Sequence, residues 1–223
     1  MQLPPYACML TQTTPTESRE EYTNATALLL IDVAEELFAE HGYDGASVRE
    51  ITAQAKTNLG AVTYHFGTKE NLLKVILARG ASKLNAERMR RFDAIEHARA
   101  KPKVEDVIRA FIEPAFSLLD TAHGVRFLRI QNDISAERTA VPRAVLAEHY
   151  DPCARQCVRL LARAAPHIDS LSLLWYFQFA LGALLYSLTR PKRFPELRER
   201  DGKHVREMDE FVRFVSSAFN RRS

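Results

Sequence analysis

Residues 47–73 read SVREITAQAKTNLGAVTYHFGTKENLL, and the order of caps, turns and apolar positions in this stretch decides the fold. Ser47 followed three residues later by Glu50 is the pattern of a capping box, in which hydroxyl and carboxylate each satisfy one orphan backbone N–H. Val48, Ile51 and Ala55 then fall on one face of a short helix. The polar run Lys56-Thr57-Asn58 interrupts it, and Asn58 is a good N-cap for a third helix over residues 59–66. Gly60 within that helix costs about 1 kcal/mol relative to alanine. Its presence points to close approach of another backbone or of a DNA strand. Gly67 ends the helix and Thr68 caps a long one over residues 69–95. Two short helices joined by a tight polar turn form a helix-turn-helix, in which one helix braces and the next enters a DNA groove.

Upstream, residues 25–41 form a helix whose Leu28, Ile31, Ala34, Leu37 and Phe38 recur at helical spacing, with Leu29 and Val33 widening the stripe. Gly42 closes it and Tyr43-Asp44-Gly45 makes the turn. Residues 1–23 are rich in Thr and Pro without period, which predicts a disordered arm. Downstream, residues 96–103 are a polar link, so the helix-turn-helix domain spans residues 24–70 and a second helical domain residues 96–223. That domain has a stripe of Val104, Val107, Ile108, Phe111, Ile112, Phe116 and Leu119 kinked at Pro114. Further helices follow over residues 125–137, 142–165 (broken at Asp151-Pro152), 168–188 and 205–219. The count is about nine helices in an all-α fold.

Bulk properties agree. The 223 residues are 46% hydrophobic and 26% charged, with 8 glycines, and no β-type alternation appears. A net charge of +3 does not by itself imply nucleic acid. Three cysteines without framework spacing suit a reducing, cytoplasmic compartment. No secretory signal pattern is visible. Residues 171–188 approach the length of a membrane span but carry Ser172, Gln178, Tyr186 and Ser187, so they read as a buried helix rather than a membrane partner.

The motifs LFAEHGYDGASVREITAQA and NLGAVTYHFGTKENLL closely resemble the DNA-binding domain of the TetR family of bacterial transcription regulators. The matching features are Leu37-Phe38, Gly42-Tyr43, Tyr64-His65-Phe66 and Lys69-Glu70. They cover about a quarter of the chain. Lys56 and Thr57 stand where the family usually has a glycine and a hydrophobic residue, and Thr63 stands where an aromatic residue is frequent. A lysine in that turn must take a left-handed conformation or shift the geometry. The resemblance implies a ligand-responsive regulator with double-stranded DNA as partner, probing a near-palindromic operator as a homodimer, and without a cofactor or metal.

Base contacts are expected from Leu59, Ala61, Val62 and Thr63, with Thr63 and Ala61 suited to a thymine methyl. Ser47, Tyr64, His65 and Lys69 suit phosphates, and Arg49, Lys56, Thr57 and Asn58 complete the DNA set. Against this, residues 24–70 hold three basic residues (Arg49, Lys56, Lys69) and seven acidic ones (Asp32, Glu35, Glu36, Glu40, Asp44, Glu50, Glu70). Such a domain must turn its acids away from DNA. An apolar pocket for a small hydrophobic effector, an acid or acyl thioester, is expected among Phe111, Phe116, Phe127, Ile130 and Trp175. Arg129, Gln131 and Asn132 would serve as its polar heads. By the resemblance, Trp175, Phe179, Gly182, Tyr186, Phe211 and Val215 lie at or near the dimer interface. His149, Cys153 and Cys157 recur at four-residue spacing; a zinc or redox role competes with plain packing, which a missing fourth ligand favours. Two other functions compete: an all-α enzyme, for which no nucleophile or paired-carboxylate motif is present, and a helical protein-binding adaptor.

Overall fold

The computed structural model describes residues 15–98, 100–136, 143–189, 194–197 and 204–219. Among them are nine α-helices, two short 3-10 segments and no strand. The helices are α1 (Pro15–Gly45), α2 (Val48–Gln54), α3 (Ala61–Phe66), α4 (Lys69–His97), α5 (Val104–Phe116), α6 (Ala122–Ala136), α7 (Arg143–Ala164), α8 (Ser170–Thr189) and α9 (Val205–Phe219). The first three pack with the start of α4, and α4 goes on to pack against α5 and α7. α6 lies against α1, and α9 against α5.

The local signals act as their chemistry requires. The Ser47 N–H donates to Glu50 Oε2 at 2.7 Å and the Glu50 N–H to Ser47 Oγ at 3.1 Å, so the capping box is complete. These hydrogen bonds hold the Glu50 carboxyl below its usual range. Thr68 Oγ1 accepts the Asn71 N–H at 3.1 Å and caps α4. Gly42, at φ 74°, interrupts α1 three residues before its end at Gly45, and Gly67, at φ 75°, closes α3.

Several expectations shift. Helical backbone begins at Pro15, so residues 15–23 are helix where an arm was expected; residues 1–14 lie outside the described residues. In α1 the buried face runs through Leu30, Ile31, Ala34, Leu37 and Phe38, while Leu28 and Leu29 are exposed. Gly60 occupies the N-cap of α3 rather than its interior. A Cβ there would meet only Asn58 Oδ1, at an ordinary 3.4 Å, so close packing does not explain the glycine. The Asn58 side chain does not cap α3. α7 runs unbroken through Pro152.

Lys56 adopts the left-handed conformation its position demands, with φ 52°, alone among the described non-glycine residues. A Cβ in that region crowds the following carbonyl. Lys56→Gly is therefore expected to raise stability by about 0.5–1 kcal/mol, the relief of strain exceeding the added unfolded-state entropy. Thermal melts of the two proteins would show it; a lower melting temperature for Lys56→Gly would mean the turn is not strained.

Candidate DNA-binding surface and inner cavity

Folding divides the proposed DNA residues into two groups. Thr63, Tyr64, Leu59, Lys56, Asn58, Ser47 and Arg49 are exposed, and Tyr64 is 75% exposed. Its ring meets His65 edge-on, with centroids 4.9 Å apart. Thr57 is half-buried, its hydroxyl directed at the Thr52 carbonyl. Ala61 and Val62, however, are 7% and 1% exposed. They pin α3 to the core and are not available to base edges, which corrects the expectation that they read DNA. The reason is register: on a six-residue helix, successive positions 61 and 62 face the brace and 63 and 64 face out. Lys69 is also partly withdrawn. Its ammonium lies 4.2 Å from the Tyr43 ring centroid and 5.8 Å from that of Phe38, a cation–π seat, and burial lowers its pKa. Thr26 of α1 joins Lys56, Thr57, Asn58, Gly60, Tyr64 and His65 around one surface depression. Nothing in the helical periodicity of residues 25–41 singles it out.

Ion pairs engage four of the seven acids of this domain, while Glu40 and Asp44 stay exposed. Glu35 is buried, with one carboxylate oxygen 2.7 Å from His123 Nδ1 and 3.2 Å from Arg126 Nε of α6. Arg126 also reaches Glu36 at 3.5 Å. Asp32 pairs with Arg79 at 2.8 Å and Glu70 with Lys74 at 2.7 Å, while Glu50 is spent on its cap. Arg49 and Lys56 thus face solvent with most nearby carboxylates engaged elsewhere.

Helices α4 to α8 surround a partly open cavity of about 210 Å³. Its walls come from α4 (Leu84, Arg88), α5 (Phe111, Ala115), α6 (Leu128, Gln131), α7 (Tyr150, Asp151, Ala154) and α8 (Phe177, Leu181, Leu184, Leu185, Leu188). Of the expected pocket residues, only Phe111 and Gln131 line it. Phe116 packs on Phe211 of α9, with ring centroids 6.4 Å apart. Phe127 fills the space beside Gly80, where a Cβ would lie 2.2 Å from its ring. Ile130 is core, Arg129 is exposed, and Asn132 is half-buried outside the lining. Trp175 is 54% exposed on the outer side of α8. The cation at the cavity is Arg88, overlooked because it sits in a basic run with Arg90 and Arg91 that reads as a solvated face.

Two family models match this architecture. Residues 30–76 match the one described as bacterial regulatory proteins, tetR family, and residues 109–218 the tetracyclin repressor-like C-terminal domain. The chain belongs to the TetR family of transcriptional regulators. Family members are DNA-binding transcription factors, not enzymes. The HTH-type transcriptional repressor AcnR of Corynebacterium glutamicum is 37% identical over 70 residues, 31% of this chain and 33% of AcnR. The regulator QacR of Staphylococcus aureus is 42% identical over 48 residues, 22% of this chain and 26% of QacR. These matches span a third or less of the relatives' lengths. Two solved structures share the fold at a TM-score of 0.64. A tetR-family regulator from Shewanella sp. PV-4 is 16% identical, over 86% of this chain and 97% of that one. FadR from Bacillus subtilis, in complex with stearoyl-CoA, is 18% identical, over 86% and 98%.

On this TetR-family chain α8 is long and apolar enough to cross a membrane by length and composition, yet Leu173, Phe177, Leu184 and Leu188 pack into the core. It is buried on one face only. Its other face exposes Leu171, Leu174, Trp175, Phe179 and Tyr186, with Trp175 and Phe179 stacked at 5.7 Å. Gly182 is exposed on the same helix. Phe211 and Val215 are 8% and 5% exposed; they belong to the chain's own core, which corrects their expected place at an interface. The exposed aromatic of α9 is Phe214, at 72%.

Cys153 and Cys157 are buried, and burial pushes both thiols up, away from the reactive thiolate. No group of three potential metal ligands gathers among the described residues; the His149 side chain lies outside them.

In the Glu35 clasp, His123 and Arg126 are each about a third exposed, so water screens part of the interaction. Glu35→Ala should cost about 1–2 kcal/mol, read as a lower urea midpoint. An unchanged midpoint would show that the clasp adds no stability.

Proposed function

We propose that this chain is an effector-responsive repressor of the cytoplasm, binding a near-palindromic operator as a homodimer and released when a small apolar molecule fills the inner cavity. The observation that carries the DNA reading is the split of α3: Ala61 and Val62 lock it to its brace while Thr63 and Tyr64 stand out in solvent, and Tyr64 shares one surface depression with the exposed Lys56. No arginine or lysine lies within α3, so discrimination rests on Thr63, whose hydroxyl and methyl suit a base edge, and on apolar contact from exposed Leu59. One so lightly charged helix reads few bases. Two copies reading half-sites about 34 Å apart, one helical turn, supply the missing specificity.

The exposed face of α8 with Phe214 of α9 is the proposed seat of the second copy. Exposed contiguous aromatics of this kind mark interaction surfaces. An effector acts by preferring the conformation whose recognition helices miss the operator spacing. The repressor names among the relatives and the ligand-bound FadR support this reading.

Gel shifts against DNA flanking the chain's own coding sequence test it. Nanomolar-range, salt-sensitive binding is expected, and absence of binding at low salt would refute it. Site selection from random DNA with Thr63→Ala should change the preferred bases, while Tyr64→Phe keeps the preference and weakens all sites alike. If Thr63→Ala weakens every site equally, Thr63 reads no base. Phe214→Asp should shift the protein to monomer in sedimentation and abolish operator binding while the fold persists; a dimeric Phe214→Asp would place the interface elsewhere.

A further inference from the structure

The inner cavity carries a positive charge that no described carboxylate answers. Arg88 is 5% exposed. Its Nε donates to the Phe111 carbonyl at 2.7 Å, one terminal nitrogen to Asn85 Oδ1 at 3.3 Å, and its guanidinium lies 3.9 Å from the Phe111 ring centroid. All these partners are neutral. Its neighbours on α4 differ: Arg90 and Arg91 each reach Glu87 at 2.7 Å, and Arg91 also reaches Glu113 at 2.7 Å. A guanidinium taken out of water without a counter-charge is costly to hold.

A second polar group at the same cavity is also unanswered. The Tyr150 hydroxyl is buried without a hydrogen-bond partner among the described residues, although buried tyrosines ordinarily find one. Both Arg88 and Tyr150 line the cavity, and most of its remaining wall is apolar, from Leu84, Leu128, Phe177 and Leu184. Asp151, the acid on the lining, is half-exposed and pairs with Arg155 at 3.1 Å.

We propose that the cavity takes a compact organic anion, a single carboxylate on an apolar body, with the carboxylate accepting hydrogen bonds from the Arg88 guanidinium and the Tyr150 hydroxyl. The proposal rests on reading this cavity as the effector site. A carboxylate supplies the counter-charge that Arg88 lacks and matches the planar fork of its donors. A volume of about 210 Å³ falls below the roughly 300–1,000 Å³ of drug-sized sites. That selects a medium-chain or aromatic acid over a long acyl thioester. The anchor is Arg88, not the exposed Arg129.

Calorimetry and thermal shift on the full chain with octanoate, octanol and octylamine test this directly. Octanoate should raise the melting temperature and bind about tenfold or more tighter than the alcohol or the amine. Tyr150→Phe, which removes only an unanswered hydroxyl, should melt no lower than wild type without ligand and lose about tenfold in octanoate affinity. Arg88→Met should erase the preference for acid over alcohol. No octanoate binding, equal binding of octanoate and octanol, or full octanoate affinity in Tyr150→Phe would overturn the proposal. Operator release is read separately. Octanoate that binds through Arg88 and Tyr150 but leaves DNA bound would sink the effector reading and keep the anchor; octanol that binds as well and releases DNA would do the reverse.

Discussion

One helix belongs to both halves of the molecule, and the arrangement depends on its being unbroken. α4 runs from Lys69 to His97 over 29 residues, about 43 Å at 1.5 Å per residue. Its first turns bury Leu72, Leu73, Ile76 and Leu77 in the helix-turn-helix core. Further along, Leu84 and Arg88 form a wall of the cavity, and Phe92 is fully enclosed. The start of the same helix holds the end of α3, where Asn71 Nδ2 donates to the Phe66 carbonyl at 3.0 Å. Under the proposed reading, a ligand contacting Arg88 would act on the DNA surface through this helix by binding two positions of α4 unequally. The Glu35–His123–Arg126 clasp between α1 and α6 is a second connection between the same two regions, so the domains are tied at two points.

The same clasp resolves the electrostatic paradox of an acidic DNA-binding domain. Three carboxylates of α1 are turned toward cations, Asp32, Glu35 and Glu36 toward Arg79, His123 and Arg126, while Glu40 and Asp44 stay exposed. Net charge is a poor guide when the charges of one sign are consumed in holding two domains together. What remains facing outward at the turn is Lys56, with Arg49 close by in sequence on α2, and Lys69 is held back over Tyr43.

The legible parts were those set by short-range chemistry. The capping box at Ser47, the Thr68 cap, the glycine ends of α1 and α3, and the bounds of α9 follow from groups within four residues of one another. The left-handed Lys56 was legible from the resemblance instead, which puts a glycine at that position and left a shifted turn as the alternative. What periodicity does not encode is which neighbour a face meets. Phe211 and Val215 lie on an apolar stripe that suits a partner's helix as well as the chain's own core, and only packing against α5 assigns them inward. Arg88 and Arg129 look alike as letters. The first is buried because α5 closes over it, the second exposed because it falls on the outer side of α6. Ala61 and Val62 were misread because a six-residue helix is too short for its own period to show.

If the exposed rim of the turn meets DNA phosphates, the salt dependence of DNA affinity carries the signature of Lys56. In a dimer two Lys56 side chains contribute, and each phosphate neutralised adds about 0.9 to the slope of log affinity against log salt. Lys56→Gln, which keeps a side chain in the strained turn, should flatten that slope by about 2. An identical slope for the two proteins would show that the turn stands clear of the DNA.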